Sequence, residues 1–270
     1  MRIMKTKPKI YLLIGLFQAK TIQREEEFKQ CLLTNVANDN IAKVFVFFKD
    51  KNNILDFDQT YPYLNHSKIT VLPTEGRQTF KMLFDYANQY LVGSYIVIAN
   101  GDIYFDANSG IEKAGNITAD CLWTITRYNY KHKENTWQLE SAIGSHDVWI
   151  FKSPIKAFEN DFFIGTLGCD SYLSQKAIET GIAVSNPCYS IFTKHEHHSP
   201  ERYHQYEAGK TYQNDKKDYM IYGCDLYLAP PCSVENFVVI KRRFWKKVYR
   251  MLIWRVFGVF QWIRQFRSRT

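Results

Sequence analysis

None of the six cysteines of this 270-residue chain stands in a CxxC pair. Scattered thiols in a chain this long exclude a cysteine zinc site and a disulfide framework, and they predict reduced core and loop thiols in a cytoplasmic compartment. No internal repeat is found, so solenoid and propeller architectures are set aside. Long apolar runs are missing too. The run 10–17 near the N-terminus follows basic residues, but it is short and no small-residue cleavage site follows it, so it reads as a buried strand and not a leader. There is no HExxH: residues 194–198 read Lys-His-Glu-His-His, which sets a zinc protease aside. Acids are absent from residues 236–270, which hold ten of the 35 Lys and Arg residues. The rest of the chain, with 25 basic and 27 acidic residues, is near neutral, so the formal net charge of +8 sits entirely in that tail.

What is present is a large apolar complement, 46% of residues with 16% aromatic, enough for one sizeable core. Apolar runs alternate with helical periodicity. Strands are expected over 9–18, 43–48, 68–72, 95–99, 120–126 and 145–151, with 183–195 mostly extended. Helices are expected over 21–36, with Phe28, Cys31, Leu32 and Val36 on one face, over 78–91, and over 170–180, stopped by Gly181. Such alternation implies a mainly parallel α/β sheet covered on both faces, in which ligands bind beyond the carboxyl ends of the strands.

One of those strand ends carries acids. Residues 94–106 read SYIVIANGDIYFD, a buried strand followed by Asn100-Gly101-Asp102 and then Asp106. Oxygen-bearing side chains at a strand end suit a hard divalent cation shared with phosphate, and Gly101 allows close approach of a ligand. The same tripeptide also suits a plain strand-to-turn exit. Asp170, in Gly168-Cys169-Asp170, stands where a helix N-cap belongs. It is either a cap or a carboxylate placed to take a proton from a hydroxyl. In an extended 194–198 segment His195 and His197 share a face, as cation or phosphate ligands or as part of a solvated loop. Asp147 begins an apolar strand, at a turn or in a pocket wall. Arg77 precedes a helix, within reach of a phosphate or simply on the surface.

Together these pieces resemble the GT-A glycosyltransferases, nucleotide-sugar enzymes with one Rossmann-like sheet, and among them bacterial enzymes of surface-polysaccharide synthesis. Patterns of the form N-x-D-I-x-F-D, D-V-W-I-F, G-C-D, N-P and H-x-H-x-S appear here as NGDIYFD, DVWIF, GCD, Asn186-Pro187 and His195-Glu196-His197-His198-Ser199. The likeness covers roughly residues 9–202. It implies a single GT-A domain over 1–235. It also implies a diphosphate site at Asn100, Gly101 and Asp102, with Phe17 and Arg77 near the nucleotide. Asp102 with His195 or His197 would hold Mn²⁺ or Mg²⁺. Asp170 would be the base of an inverting transfer, with Asp147 beside it. Asn100 stands where the family often has Asp, which leaves metal dependence open. The GxGxR loop of sugar nucleotidyltransferases is absent after the first strand.

In the tail, Trp245, Val248, Leu252, Val256 and Ile263 fall on one helical face, with Arg243, Lys246, Lys247, Arg250 and Arg264 largely opposite. The charge-free run 256–263 is too short to span a bilayer about 30 Å thick. Residues 236–270 are therefore expected to form a basic amphipathic helix lying on an anionic membrane, with the enzyme peripheral on the inner face of the plasma membrane. The partners expected are a nucleotide-sugar donor and a glycan or lipid-linked glycan acceptor. Nucleic acid is not expected, since no basic groove in the body accompanies the tail. The alternative from another class is a non-catalytic, basic-tailed binding protein for nucleic acid or anionic membrane.

Overall fold

The structure, a computed structural model, describes residues 8–140, 146–166, 168–198 and 229–239. The tail beyond Val239 lies outside the described residues, as do Gly144, Ser145 and Ser199, so the amphipathic-helix expectation falls there.

The elements run β1 (Ile10–Leu16), α1 (Ile22–Ala37), β2 (Ile41–Lys49), the single-turn α2 (Phe57–Thr60), β3 (Ile69–Thr74), α3 (Phe80–Tyr90), β4 (Tyr95–Ala99) and β5 (Ile103–Tyr104). They continue with β6 (Cys121–Ile125), β7 (Tyr128–Lys131), β8 (Thr136–Leu139), β9 (Val148–Lys152), α4 (Cys169–Glu179), β10 (Ala183–Ser185) and β11 (Lys194–His195). The main sheet has seven strands in the order β10-β6-β9-β4-β1-β2-β3. All neighbours are parallel except β9, which runs antiparallel to β4 and β6. This is the mainly parallel α/β architecture that the alternating pattern implies.

The central strands β1 and β4 are almost wholly apolar because the sheet is buried on both faces there. Ile10, Leu12, Ile14 and Leu16 of β1 face one core with Phe28 and Leu32 of α1, whereas Leu13 faces a second core with Phe80, Leu83 and Phe84 of α3 and Leu173 of α4. Thr21 caps α1 by accepting from the Arg24 amide at 3.2 Å, and Thr79 caps α3 by accepting from the Met82 amide at 3.4 Å.

A second sheet, β5-β11-β7-β8, was not expected from the sequence. Its strands span only two to four residues, and half-buried strands that short leave little period-2 signal. The expected extended segment 183–195 is two short strands in different sheets, β10 and β11, separated by turns.

Two asparagines join α1 to the segment that follows Asp102. Asn35 donates to the Ile103 carbonyl at 2.9 Å and accepts from the Phe105 amide at 2.8 Å, while Asn38 donates to the carbonyls of Phe105 and Asp106 at 3.0 and 2.9 Å. Asn35 is 1% exposed, so Asn35→Ala strands a buried carbonyl and a buried amide together. The expected cost is about 2–4 kcal/mol in urea unfolding. A loss under about 0.5 kcal/mol would show that Asn35 does not hold this segment.

Candidate functional site

In the main sheet, β2 and β3 lie on one side of β1, and β4 and the remaining strands lie on the other. The crevice outside the carboxyl ends of β1 and β4 is therefore the topological switch point, where α/β sheets bind ligands. Phe17 follows β1 there, and Asn100-Gly101-Asp102 follows β4.

Asp102 is 7% exposed, and three groups converge on its Oδ2. These are Arg24 Nη2 at 2.7 Å, His197 Nδ1 at 3.0 Å and His195 Nε2 at 3.3 Å. The two histidines arrive through β11, which pairs antiparallel with β5 in the register His195 to Ile103, while the Glu196 amide donates to the Asp102 carbonyl at 2.9 Å. Burial by itself would raise the Asp102 pKa, but His195, His197 and Arg24 hold its carboxyl well below the usual carboxylate range.

The hydrogen bonds around His195 define its tautomer. Asn129 Oδ1 accepts from Arg127 Nε at 3.2 Å, and Asn129 Nδ2 donates to Glu140 at 2.5 Å. The oxygen of Asn129 therefore faces His195 Nδ1, 2.8 Å away, and takes its proton in the neutral imidazole. That leaves the Nε2 lone pair pointing at a carboxylate oxygen. Two acceptors facing each other at 3.3 Å call for a proton or a cation between them. Asp102, His195 and His197 each offer one ligand atom, and those atoms lie within 4.8 Å of one another. Edges of 3.0–3.3 Å suit neighbouring ligands of an ion with bonds of about 2.0–2.2 Å. Two imidazoles with one carboxylate suit Mn²⁺ or Zn²⁺ better than Mg²⁺, which prefers oxygen throughout. Asn129 is the outer-shell partner that such a ligand histidine needs.

The other expected residues are placed as follows. Asn100 Nδ2 donates to Asp147 Oδ1 at 2.9 Å, and Arg127 Nη1 donates to both Asp147 oxygens, at 2.9 and 3.0 Å. Asn100 and Asp147 thus tie the ends of β4 and β9 to Arg127 and stand beside the cluster, outside its ligand atoms. Gly101 packs closely on β1: a Cβ there would lie 2.5 Å from Leu16 Cδ2 and 3.1 Å from the Gly15 carbonyl oxygen, so a side chain at this position would have to displace the Leu16 side chain. Arg77 Nη2 donates to the Ile164 carbonyl and to Thr166 Oγ1, both at 2.9 Å, and its guanidinium lies over Phe163. It braces the 163–166 loop. Phe17 meets Phe28 edge-on at 5.2 Å, and the Arg24 guanidinium lies over the Phe28 ring. Asp106 is remote in role from Asp102: it pairs with Lys194 and accepts from the Asn108 amide.

Asp170 is not the N-cap of α4. Gly168 holds that position with φ 85°, a left-handed conformation that glycine adopts readily, and Asp170 lies in the first turn. Its Oδ2 accepts from the His146 amide at 3.0 Å, and its Oδ1 accepts from the Cys169 thiol. Burial, then the neighbouring charge of Asp147, pushes its pKa up to about 7.

Sequence reasoning missed Arg24, Glu27, Arg127 and Asn129. A signal existed for the first two. Arg24 and Glu27 fall four residues before Phe28 and Cys31, on the apolar stripe of α1, and both are only 6% exposed. Charged residues in register with a buried face need a partner inside.

No protein-family model and no curated protein matches the sequence. Among solved structures, the chain is similar to the mannosyltransferase PcManGT from Pyrobaculum calidifontis, described in complex with GDP-Man and Mn²⁺, at 13% identity and a TM-score of 0.45, covering 70% of this chain and 57% of that one. It is similar to S. aureus TarS 1–349, described in complex with UDP-GlcNAc, at 10% identity and a TM-score of 0.45, covering 72% and 60%. A 4-diphosphocytidyl-2C-methyl-D-erythritol synthase from Anaerococcus prevotii is a further similar structure, at 10% identity and a TM-score of 0.39, covering 67% and 86%. The chain thus spans little more than half the length of the first of these proteins, and what it does rests on the geometry of its own site.

Proposed function

We propose that the chain is a nucleotide-sugar-dependent glycosyltransferase that moves a sugar to a hydroxyl of a glycan acceptor. The observation that carries this is the convergence of Asp102, His195 and His197 at the β1/β4 switch point. Three protein ligands leave coordination positions for diphosphate oxygens. A divalent ion bound there supplies Lewis-acid neutralisation of a departing nucleoside diphosphate. The protein's own groups do the rest. Asn129 and Arg127 orient His195, Phe17 lies along the crevice for the nucleotide, and the Asn100–Asp147–Arg127 bracket shapes the wall beside it. Asp170, with a pKa near neutrality, is the group suited to take the proton of the attacking hydroxyl. A base in that position favours direct displacement with inversion.

The basic, aromatic-rich segment 236–270 supports a lipid-linked acceptor and an anionic membrane partner at the inner face of the plasma membrane. Among the described residues no helix is long and apolar enough to cross a membrane. Thermal unfolding against a panel of nucleoside diphosphates, with and without Mn²⁺, tests the proposal. A matching nucleotide at about a hundredfold excess over its Kd adds about 2.7 kcal/mol, roughly 5–10 °C in Tm for a chain of this size. The shift is expected only with metal and only for one base. Shifts with anionic vesicles or an oligonucleotide, and with none of the nucleotides, would favour the binding-protein alternative.

A further inference from the structure

Among the described partners of Asp102 Oδ2, Arg24 alone cannot ligate a cation, yet it makes the shortest contact. Its Nη2 lies 2.7 Å from Oδ2, the same oxygen that faces both histidines. Its Nη1 lies 2.7 Å from Glu27 Oε2, and Glu27 Oε1 accepts from the His198 amide at 2.7 Å. The guanidinium also sits 4.3 Å from the centre of the Phe28 ring. Helix capping, a buried ion pair, an aromatic face and a backbone tie to the histidine strand therefore hold one positive charge in place. Both charged partners on α1 are 6% exposed, so water screens this charge little.

A carboxylate oxygen has two lone-pair directions. Arg24 takes one and leaves the other toward the two imidazoles. A cation bound there would stand next to a fixed like charge. We infer that Arg24 sets the divalent-cation affinity of the Asp102–His195–His197 cluster, holding it low until an anionic diphosphate arrives, with Glu27 as the counter-charge that limits the effect. This rests on reading the cluster as a cation site. The consequence is coupled binding: metal alone binds weakly, and metal with a nucleoside diphosphate binds well, because the diphosphate offsets the guanidinium. A site of this kind takes up its ion with the donor and gives it up with the product.

The two charges on α1 act with opposite signs, which makes the inference testable with Mn²⁺ alone. The full chain is titrated with Mn²⁺ and the free ion is followed by electron paramagnetic resonance, without nucleotide. Arg24→Gln is expected to bind Mn²⁺ at least about tenfold more tightly than the wild type, since a buried like charge close to the ion is removed. Glu27→Gln, which leaves the guanidinium facing Asp102 alone, is expected to bind more weakly than the wild type. A merely structural role would move both variants in the same direction, toward weaker binding, and that result overturns the inference. So does an Arg24→Gln affinity equal to the wild type. Unchanged or tighter binding by Glu27→Gln likewise overturns the role of Arg24, and if Arg24→Gln does not fold, Arg24→Met, which also removes the charge, carries the same test. Failure of the underlying site looks different. No Mn²⁺ uptake by the wild type or by Arg24→Gln removes the cation site and this inference with it. Uptake that is lost in His197→Ala but unmoved by Arg24→Gln removes only the role of Arg24.

Discussion

On the proposed function, Asp102→Asn is expected to lower turnover of a nucleotide-sugar donor by on the order of a thousandfold or more and to abolish the metal-dependent thermal shift with nucleotide. The size follows from how much depends on one oxygen. Oδ2 of Asp102 faces both histidines and the Arg24 guanidinium. An amide there has no net charge to hold a cation and presents an N–H in at least one of its two orientations. The substitution also strands a buried guanidinium, and removing one partner of a buried pair costs about 3–5 kcal/mol. The stability that Asp102 contributes has a defined pH window. Its folded pKa is depressed, so the contribution is whole above the unfolded carboxylate pKa of about 4 and is lost as pH falls toward the lower folded value. Loss of activity and loss of stability can be separated. The double variant Arg24→Gln, Asp102→Asn is expected to recover stability without recovering turnover. If stability and turnover return together, Asp102 is a structural ion-pair partner and not the metal ligand.

Asp170→Asn should produce the opposite pairing, with activity lost and stability gained. Under the proposal that Asp170 is the base for the acceptor hydroxyl, its loss is expected to cost about 10²–10⁴ in kcat. The wild-type rate should rise with pH through an apparent pKa near 7, and the variant should lose that limb. Burial and the charge of Asp147 raise this carboxyl's folded pKa above its unfolded value of about 4. Its contribution to stability is therefore whole below about pH 4 and is lost as pH rises through about 7. An asparagine does not titrate and can still accept from the His146 amide, so the variant is expected to be more stable than the wild type at pH 8, by on the order of 2 kcal/mol. At pH 4 the two proteins should be nearly equal. A misfolded variant could not gain stability in this way, so the two readouts check each other. A kcat within tenfold of the wild type, with its pH limb intact, would remove Asp170 from the chemistry.

The placement of site residues shows where sequence reasoning reached and where it stopped. The strand before Asn100-Gly101-Asp102 and the helix of Phe28, Cys31 and Leu32 were legible because each pattern is local. An apolar run or a 3.6-residue stripe lies within a dozen residues. Asp102, His195 and His197 were named from residue chemistry, and the structure brings their ligand atoms together. Gly101 reads as room for a ligand, and only the packing of β4 beside β1 reveals that a side chain there would also meet Leu16. Sequence alone leaves Arg77 between a phosphate contact and a surface position, because it does not show that the guanidinium meets a loop 87 residues away. Asp170 is likewise left between a helix cap and a proton-accepting carboxylate, and only the backbone of Gly168, with φ 85°, removes the cap reading, because that conformation is not written in residue type.

By itself the sequence determined the class of fold, the order of the large elements and the chemistry available at the carboxyl end of β4. Those follow from hydrophobic periodicity and from what carboxylates and imidazoles can bind, both properties of residues and their near neighbours. Tertiary structure alone decided which charges meet. Arg24 reaches Asp102 across 78 residues, and His195 and His197 reach it across 93 and 95. Such contacts depend on strand order and on the register of β11 against β5, where shifting the pairing by one residue turns every side chain to the opposite face. Burial then strengthens each meeting, because a charge pair removed from water interacts through a lower dielectric than the same pair on the surface.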